Sequence, residues 1–297
     1  MTSIKNKIDF AVIFTVDNAN PNGDPLNGNR PRTTMDGLGE ISDVCLKRKI
    51  RNRLQDMGKE IFVKSDDRCD DGAKSLRSRA DKVLKKYSKD QDKFVEAACK
   101  EWIDVRAFGQ LFAFKKKSNK TPASTNLKDQ ENVDESMTGA DAVSVGIRGP
   151  VSIRSAFSIM PVNISSIQIT KSVNSEDSDK KGSDTMGMKY RVDYGVYVMY
   201  GSINTQLAVK TGFSDEDADD LKKALCTLFT NDSSSARPDG SMDVVKVYWW
   251  KHNCPNGQYS SAKVHNSLKV IAPESNGNGK DYKIVLTDLD NLKPEIY

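Results

Sequence analysis

The stretch from residue 41 to 57, Ile-Ser-Asp-Val-Cys-Leu-Lys-Arg-Lys-Ile-Arg-Asn-Arg-Leu-Gln-Asp-Met, reads as one amphipathic helix and constrains this chain more than any other segment. Leu46, Ile50, Leu54 and Met57 recur at three- and four-residue steps, so they form a single stripe that docks on a core. Ser42 is placed to accept a hydrogen bond from the exposed amides of the first turn, and Asp43 suits the positive end of the helix dipole. Gly58 supplies a residue that tolerates the left-handed conformation at the stop. At about 100° per residue, Lys47, Arg48 and Arg51 fall along one flank of the stripe, and Lys49 and Arg53 along the other. No acid lies between Asp43 and Asp56. A helix packed by one edge and basic on both flanks is either a solvated face or a match for a phosphate backbone.

The 297 residues suffice for one elaborated domain or two, and 37% hydrophobic with 29% charged residues describes a soluble globular protein. No apolar run approaches the roughly 20 residues that cross a bilayer, so no membrane partner is expected. Ile8–Val16, broken by Asp9 and without a small-residue cleavage site, reads as a first strand rather than a signal peptide. Cys45, Cys69, Cys99, Cys226 and Cys254 are odd in number, scattered and free of any Cys-x-x-Cys pair. They point to a reducing cytoplasm and away from a zinc site or a disulfide framework. The net charge of +4 hides an asymmetry: residues 1–120 carry 26 Lys and Arg against 18 Asp and Glu, the remainder 19 against 23. The basic part calls for a polyanion or for an acidic neighbour, such as another copy's second half.

The element order is interrupted twice. Asp17–Glu40 is a long loop dense in Asn, Gly and Pro that carries Arg30 and Arg32, and loops of this length are functional or disordered. It holds no Gly-x-Gly-x-x-Gly or P-loop pattern, so no nucleotide cofactor is expected. Residues 59–140 read as an insertion, with helices at Lys74–Tyr87 and Lys93–Trp102, an apolar segment at Phe108–Phe114, and a polar tract opened by Lys115, Lys116, Lys117 and Lys120. Strands follow at Val143–Ile153 and Ala156–Thr170, then an irregular stretch at 171–189, then a strand at Tyr190–Ile203. Ser214 caps a helix with Leu221, Leu225 and Leu228 on its buried face. Val244–Trp250 reads as a strong strand, with weaker ones near Lys263–Ile271 and Tyr282–Leu286. In the Trp249-Trp250 pair, strand alternation lets one ring face inward. Without the insertions, the order is that of an α+β ferredoxin-like or RNA-recognition-motif sandwich, helices on one sheet face and the other free for a ligand.

Several strings, in order and spacing across about residues 8–250, resemble one family. They are Asn20-Pro21-Asn22-Gly23-Asp24-Pro25, Asp43 through Arg51, Gly146-Ile147-Arg148-Gly149-Pro150-Val151 and Thr185-Met186-Gly187-Met188-Lys189. Tyr194-Gly195-Val196-Tyr197, Lys210-Thr211-Gly212-Phe213-Ser214 through Ala224-Leu225, and Ser234-Ser235-Ala236-Arg237 complete the set. Together they resemble the crRNA-binding backbone subunit of type I-C CRISPR Cascade, in the RAMP superfamily. Met188 departs from an expected basic residue, Pro238 from the usual Gly, and Trp249–Val264 matches poorly.

The resemblance implies a modified RNA-recognition-motif palm (residues 1–58 and 141–297) with a thumb hairpin at about 171–190, and a helical finger inserted at 59–140. It implies copies stacked head-to-tail along guide RNA, other Cascade subunits as partners, and target DNA reached through the guide. RNA contacts are expected from Arg30, Arg32, Lys47, Arg48, Lys49, Arg51, Arg53, Arg148, Arg154 and Lys189, with Met186 and Met188 as apolar wedges against unstacked bases. Lys115, Lys116, Lys117 and Lys120 are expected against target DNA. No catalytic residue, metal or cofactor is implied.

A RAMP-type ribonuclease is the competing expectation, with loop acids Asp24 and Asp36 and the two histidines, His252 and His265, as its candidates. The histidines lie far down the chain with no acid–base cluster about them, and Asp24 between Gly23 and Pro25 reads as turn chemistry. A third expectation is an assembly subunit whose basic helix binds an acidic protein face.

Overall fold

The computed structural model describes residues 2–87, 90–113, 144–174, 176–177, 185–273 and 280–297. Along the chain, β1 (Ile8–Ala19) leads to a two-residue ribbon, β2 (Gly23–Asp24) with β3 (Arg30–Pro31), and then to β4 (Leu38–Ile41) and α1 (Asp43–Asp56). After α1 come α2 (Leu76–Leu84), α3 (Gln91–Glu101), α4 (Ile103–Phe108), β5 (Gly109–Ala113) and β6 (Ser144–Arg148). The chain continues through β7 (Val151–Ile153), β8 (Ala156–Pro161), β9 (Ile164–Thr170) and the long β10 (Met186–Ile203). The last elements are α5 (Thr205–Thr211), α6 (Asp215–Cys226), β11 (Met242–Lys251), α7 (Ser261–Ser267), β12 (Leu268–Ile271), β13 (Lys283–Leu286) and β14 (Glu295–Ile296).

The principal sheet is antiparallel in the order β14–β11–β1–β10–β8–β4, with β7 and β9 also paired to β10. Strand β1 lies at its centre, in register with β10 from Ile8↔Ile203 to Ala19↔Val192. Its apolar run needs that position, because both of its faces are covered. On one face Phe10, Val12, Phe14 and Val16 meet Leu46, Ile50 and Leu54 of α1 and Leu221 and Leu225 of α6. On the other, Ala11 and Ile13 pack with Tyr248, Trp250, Val264 and Leu268.

That second face corrects two expectations. It is not free for a ligand, because α7 and the β12–β13 hairpin lie over it. Trp249 and Trp250 are accordingly both buried, 2% and 1% exposed, one in each layer. Residues 263–267 are also helical rather than extended, since Ser260 accepts a hydrogen bond from the Lys263 N–H and starts α7.

The helix α1 begins at Asp43 with Ser42 as its cap, as the sequence suggests. Ile41 ends β4, Ser42 holds an extended backbone, and its hydroxyl accepts from the Cys45 N–H at 3.4 Å. Gly58 stops the helix at φ +80°, where a side chain would be strained. Between α1 and β7 the chain buries a separate apolar set, in which Phe62 stacks near Trp102 (4.7 Å) and Phe112 (5.0 Å) and meets Leu84, Ala98 and Ile147. The short α4 and α5, each under eight residues, carry too little periodicity to be anticipated.

Candidate nucleic-acid interface

Four of the five cations of α1 bind other segments of the chain. Lys49 is 3% exposed and its ammonium is bound by Asp232. Arg53 donates to the Thr227 hydroxyl at 2.7 Å. On the opposite flank, Arg48 donates to the Val63 carbonyl at 2.6 Å, and Arg51 binds Asp104 at 2.9 Å with Phe108 beneath its guanidinium. Lys47 pairs with Asp43 one turn back, at 3.0 Å. The expectation of two solvent-facing basic flanks is therefore corrected. The 61–63 and 104 segments cover one flank and residues 227–232 the other, so the helix is a spine between two layers. Burial pushes the Lys49 ammonium below the ordinary lysine range, opposed by the charge of Asp232.

Three ion pairs also join the two parts of the sequence that differ in charge. Lys49 meets Asp232, Lys59 meets Asp220 at 2.5 Å, and Arg106 holds Asp217 with both Nε and Nη2, at 2.9 and 2.6 Å. First-half cations thus dock on second-half carboxylates of the same chain.

A different group converges at the far end of β1. Asn20 is buried there; its N–H donates to the Ala236 carbonyl at 2.9 Å and its side-chain amide to the Asn29 carbonyl at 2.7 Å. Asn22 accepts from the Ser42 N–H at 2.9 Å, fastening the loop to the start of α1. Asp24 caps the turn Pro25–Asn27, accepts from Leu26 N–H and pairs with Arg32 at 3.3 Å, so turn chemistry accounts for it. The ribbon β2–β3 closes so tightly that a Cβ on Gly23 would sit 2.0 Å from Asn29 Oδ1. Arg30, exposed at its tip, lies over the Tyr190 ring at 4.3 Å.

Tyr190 belongs to the projecting part of β10, which pairs with β9 from Met186↔Thr170 to Val192↔Ile164. Met186 and Met188 are exposed here, at 65% and 50%. Lys189 reaches back and donates to the Ser235 carbonyl at 2.8 Å. The loop it touches, residues 231–237, is closed by reciprocal backbone bonds between Ser234 and Arg237 at 2.8 and 3.0 Å, and its serines are exposed. Arg30, Arg32, Met186, Met188 and Lys189 thus surround the β9–β10 hairpin where it meets the 20–37 and 231–237 loops, with Met186, Met188 and Tyr190 on one face of the strand and Lys189 on the other.

Arg148 and Arg154 do not join them. Arg148 is exposed at the end of β6, opposite Gly109. Arg154 hydrogen-bonds through its N–H to Tyr200, ten residues along β10 from Tyr190, or about 33 Å of extended strand. Lys115, Lys116, Lys117 and Lys120 lie outside the described residues.

Of the nuclease candidates, the two histidines share a partner, Asp9, to which His265 Nε2 comes within 3.8 Å. Asp36 is exposed in a turn, whereas His252 and His265 are buried on the covered face of the sheet. His252 Nε2 lies 2.8 Å from Asp9 Oδ2, and its Nδ1 accepts from the Gln258 N–H at 2.9 Å, so both ring nitrogens are engaged. His265 Nε2 is 3.0 Å from the Gly201 carbonyl. Among the described residues, no three His, Cys, Asp or Glu are grouped to hold a metal ion, and no helix is long and apolar enough to cross a membrane.

Residues 6–287 match the family of CRISPR-associated protein Cas7. The chain belongs to the Cas7 family. It is similar to the CRISPR-associated protein Cas7 of Haloferax volcanii, 25% identical over 305 residues that cover 98% of this chain and 83% of the relative. Among solved structures it is similar to a chain of a CRISPR RNA-guided surveillance complex, pre-nicking, with TM-score 0.49, 16% identity and coverage of 91% of this chain and 84% of that one. A chain of another CRISPR RNA-guided surveillance complex gives TM-score 0.47, 15% identity and coverage of 91% and 77%.

Tyr190 and Asp232 stand out in no motif of this Cas7-family chain, and Asn20, Asn22 and Arg237 do so only as members of matching strings. Ser234–Arg237 is visible in the sequence only as a matching string, because the contacts that give it a place come from α1, β1 and β10.

Proposed function

We propose that this chain is a non-catalytic backbone subunit of a CRISPR surveillance complex, binding guide RNA around the β9–β10 hairpin with Arg30, Arg32, Met186, Met188 and Lys189. The observation that carries the reading is the gathering of cations, exposed thioethers and exposed serines around one projecting hairpin, with Met186, Met188 and the stacked Arg30–Tyr190 pair on one face and Lys189 with the serine loop on the other. Cations and hydroxyls suit phosphates and sugars, while a flexible thioether can insert between splayed bases. Membership in the Cas7 family and the type I-C string resemblance support the same function.

In this reading β11–β1–β10–β8, with α1 and α6 on one face, is an RNA-recognition-motif-like palm. The separate apolar core between α1 and β7 is the finger, and the β9–β10 hairpin is the thumb. Copies stack head-to-tail on cytoplasmic guide RNA beside other Cascade subunits, and target DNA is reached by base pairing with the guide. The nuclease alternative finds no support in Asp24 and Asp36, which lie in loop turns, or in His252 and His265, which meet at Asp9 but are buried.

The test is RNA affinity over a salt series for the wild type and for Arg30→Ala/Lys189→Ala. Binding to all sequences should weaken alike, and the slope of log affinity against log salt should flatten by roughly 0.7 per lost phosphate contact. An unchanged slope would mean that these cations face elsewhere.

A further inference from the structure

We propose that Arg237 is a second phosphate contact of this interface and that the Lys49–Asp232 pair aims it, so that the three residues act as one positioning unit. The inference rests on the RNA-binding reading above and assigns it residues that the sequence did not.

Asp232 Oδ2 receives two cations, the Lys49 ammonium from beneath and Arg237 Nε at 3.2 Å from the solvent side. Arg237 is thereby held by Nε alone, and among the described residues its two terminal amino groups have no protein partner. Those groups form the planar fork that matches phosphate oxygens. The charge balance decides what the fork can do. A lone Asp232 would cancel the charge of Arg237, whereas Lys49 neutralises Asp232 first and leaves the trio with one net positive charge facing outward. This gives the buried Lys49 a purpose beyond packing: an apolar residue of similar volume fills the same space at no electrostatic cost, but surrenders that charge.

The loop is also fixed in place before any ligand arrives. Ala236 accepts from Asn20 N–H at 2.9 Å, Ser235 from Lys189 at 2.8 Å, and Asn231 from Arg68 at 3.2 Å. Lys189, exposed on the thumb side, and Arg237 therefore share one short loop. A guanidinium restrained in this way loses little freedom on binding an anion.

The experiment measures anisotropy of labelled polyuridine RNA with the full chain across a salt series. Arg237→Ala should weaken binding about tenfold and flatten the salt slope by roughly 0.7. Lys49→Met/Asp232→Ala keeps the net charge and leaves no buried ion unpaired. It should weaken binding by a similar factor, and adding Arg237→Ala to it should cost nothing further. Arg237→Lys, compared at equal thermal midpoint, should also lose affinity, because one ammonium cannot hold Asp232 and a phosphate fork together. Wild-type affinity and slope in both Arg237 variants would overturn the contact. Additive losses in the combined variant would overturn the positioning unit. A wild type that fails to bind polyuridine at low salt would remove the RNA reading and this one with it.

Discussion

Asp104 is 1% exposed and accepts three hydrogen bonds, from Phe62 N–H at 2.7 Å, Val63 N–H at 3.1 Å and Arg51 Nε at 2.9 Å. It is the residue through which α1 grips the layer inserted after it. Asp104→Ala strands two buried amides and one partly buried guanidinium, and should lower stability in urea unfolding by about 3–5 kcal/mol. A loss within about 0.5 kcal/mol would show that water replaces the carboxylate.

His265 and Asp9 set a different residue-scale expectation. Burial holds the His265 imidazolium below its ordinary value of 6.5, with the Asp9 charge opposing only in part. Burial pushes the Asp9 carboxyl upward, but hydrogen bonds from His252 and Ser261 and the Lys7 ammonium outweigh it and hold the group below 3.8. Both folded-state values are depressed, so each group contributes stability that is complete above its unfolded value and lost as pH falls through its folded one. Thermal midpoints should therefore drop as pH is lowered below 6.5, and His265→Gln should flatten the first part of that decline. A pH-independent midpoint down to the carboxylate range would contradict this.

At the scale of elements, the β9–β10 hairpin carries Met186, Met188, Ile167 and Ile169, which the described residues leave between 37% and 65% exposed. Exposed apolar side chains in this number do not stabilise a monomer, and under the proposed function Met186 and Met188 serve RNA binding. Met186→Ser/Met188→Ser should leave the unfolding free energy within about 0.5 kcal/mol of the wild type. It should weaken RNA binding without changing its salt slope, because no phosphate contact is removed. A changed slope or an unfolded hairpin would assign the methionines a different role. By contrast α1, the most basic element, contributes chiefly by joining layers, since each of its cations already has a partner in the chain.

At the scale of the whole molecule, part of the charge of the basic first part and the acidic second part meets in an internal contact. Lys49–Asp232, Lys59–Asp220 and Arg106–Asp217 each span more than a hundred residues and seat α6 and its following loop against α1 and α4. One group of cations, Arg30, Arg32 and Lys189 with Arg237 beside them, lies on loops and a hairpin at one end of the central strands.

The sequence by itself determined the elements with strong periodicity and clear caps. Stripe residues Leu46, Ile50 and Leu54 did specify α1, Ser214 did start α6, and the Val, Ile and Phe run did form β1. Ordered strings also placed the chain in a family of CRISPR proteins, a placement the Cas7 match carries. Tertiary structure alone decided which charges remain available. A cation's position on a helical wheel gives its direction, but whether water or a carboxylate lies in that direction depends on segments far away in the chain. Hence Lys49 looked like a phosphate contact and is a buried anchor, while Arg237, inconspicuous after three serines, keeps its terminal nitrogens open. The second face of the sheet was hidden for the same reason, because its cover comes from short, weakly periodic C-terminal elements whose position is fixed only by packing on Trp250 and its neighbours.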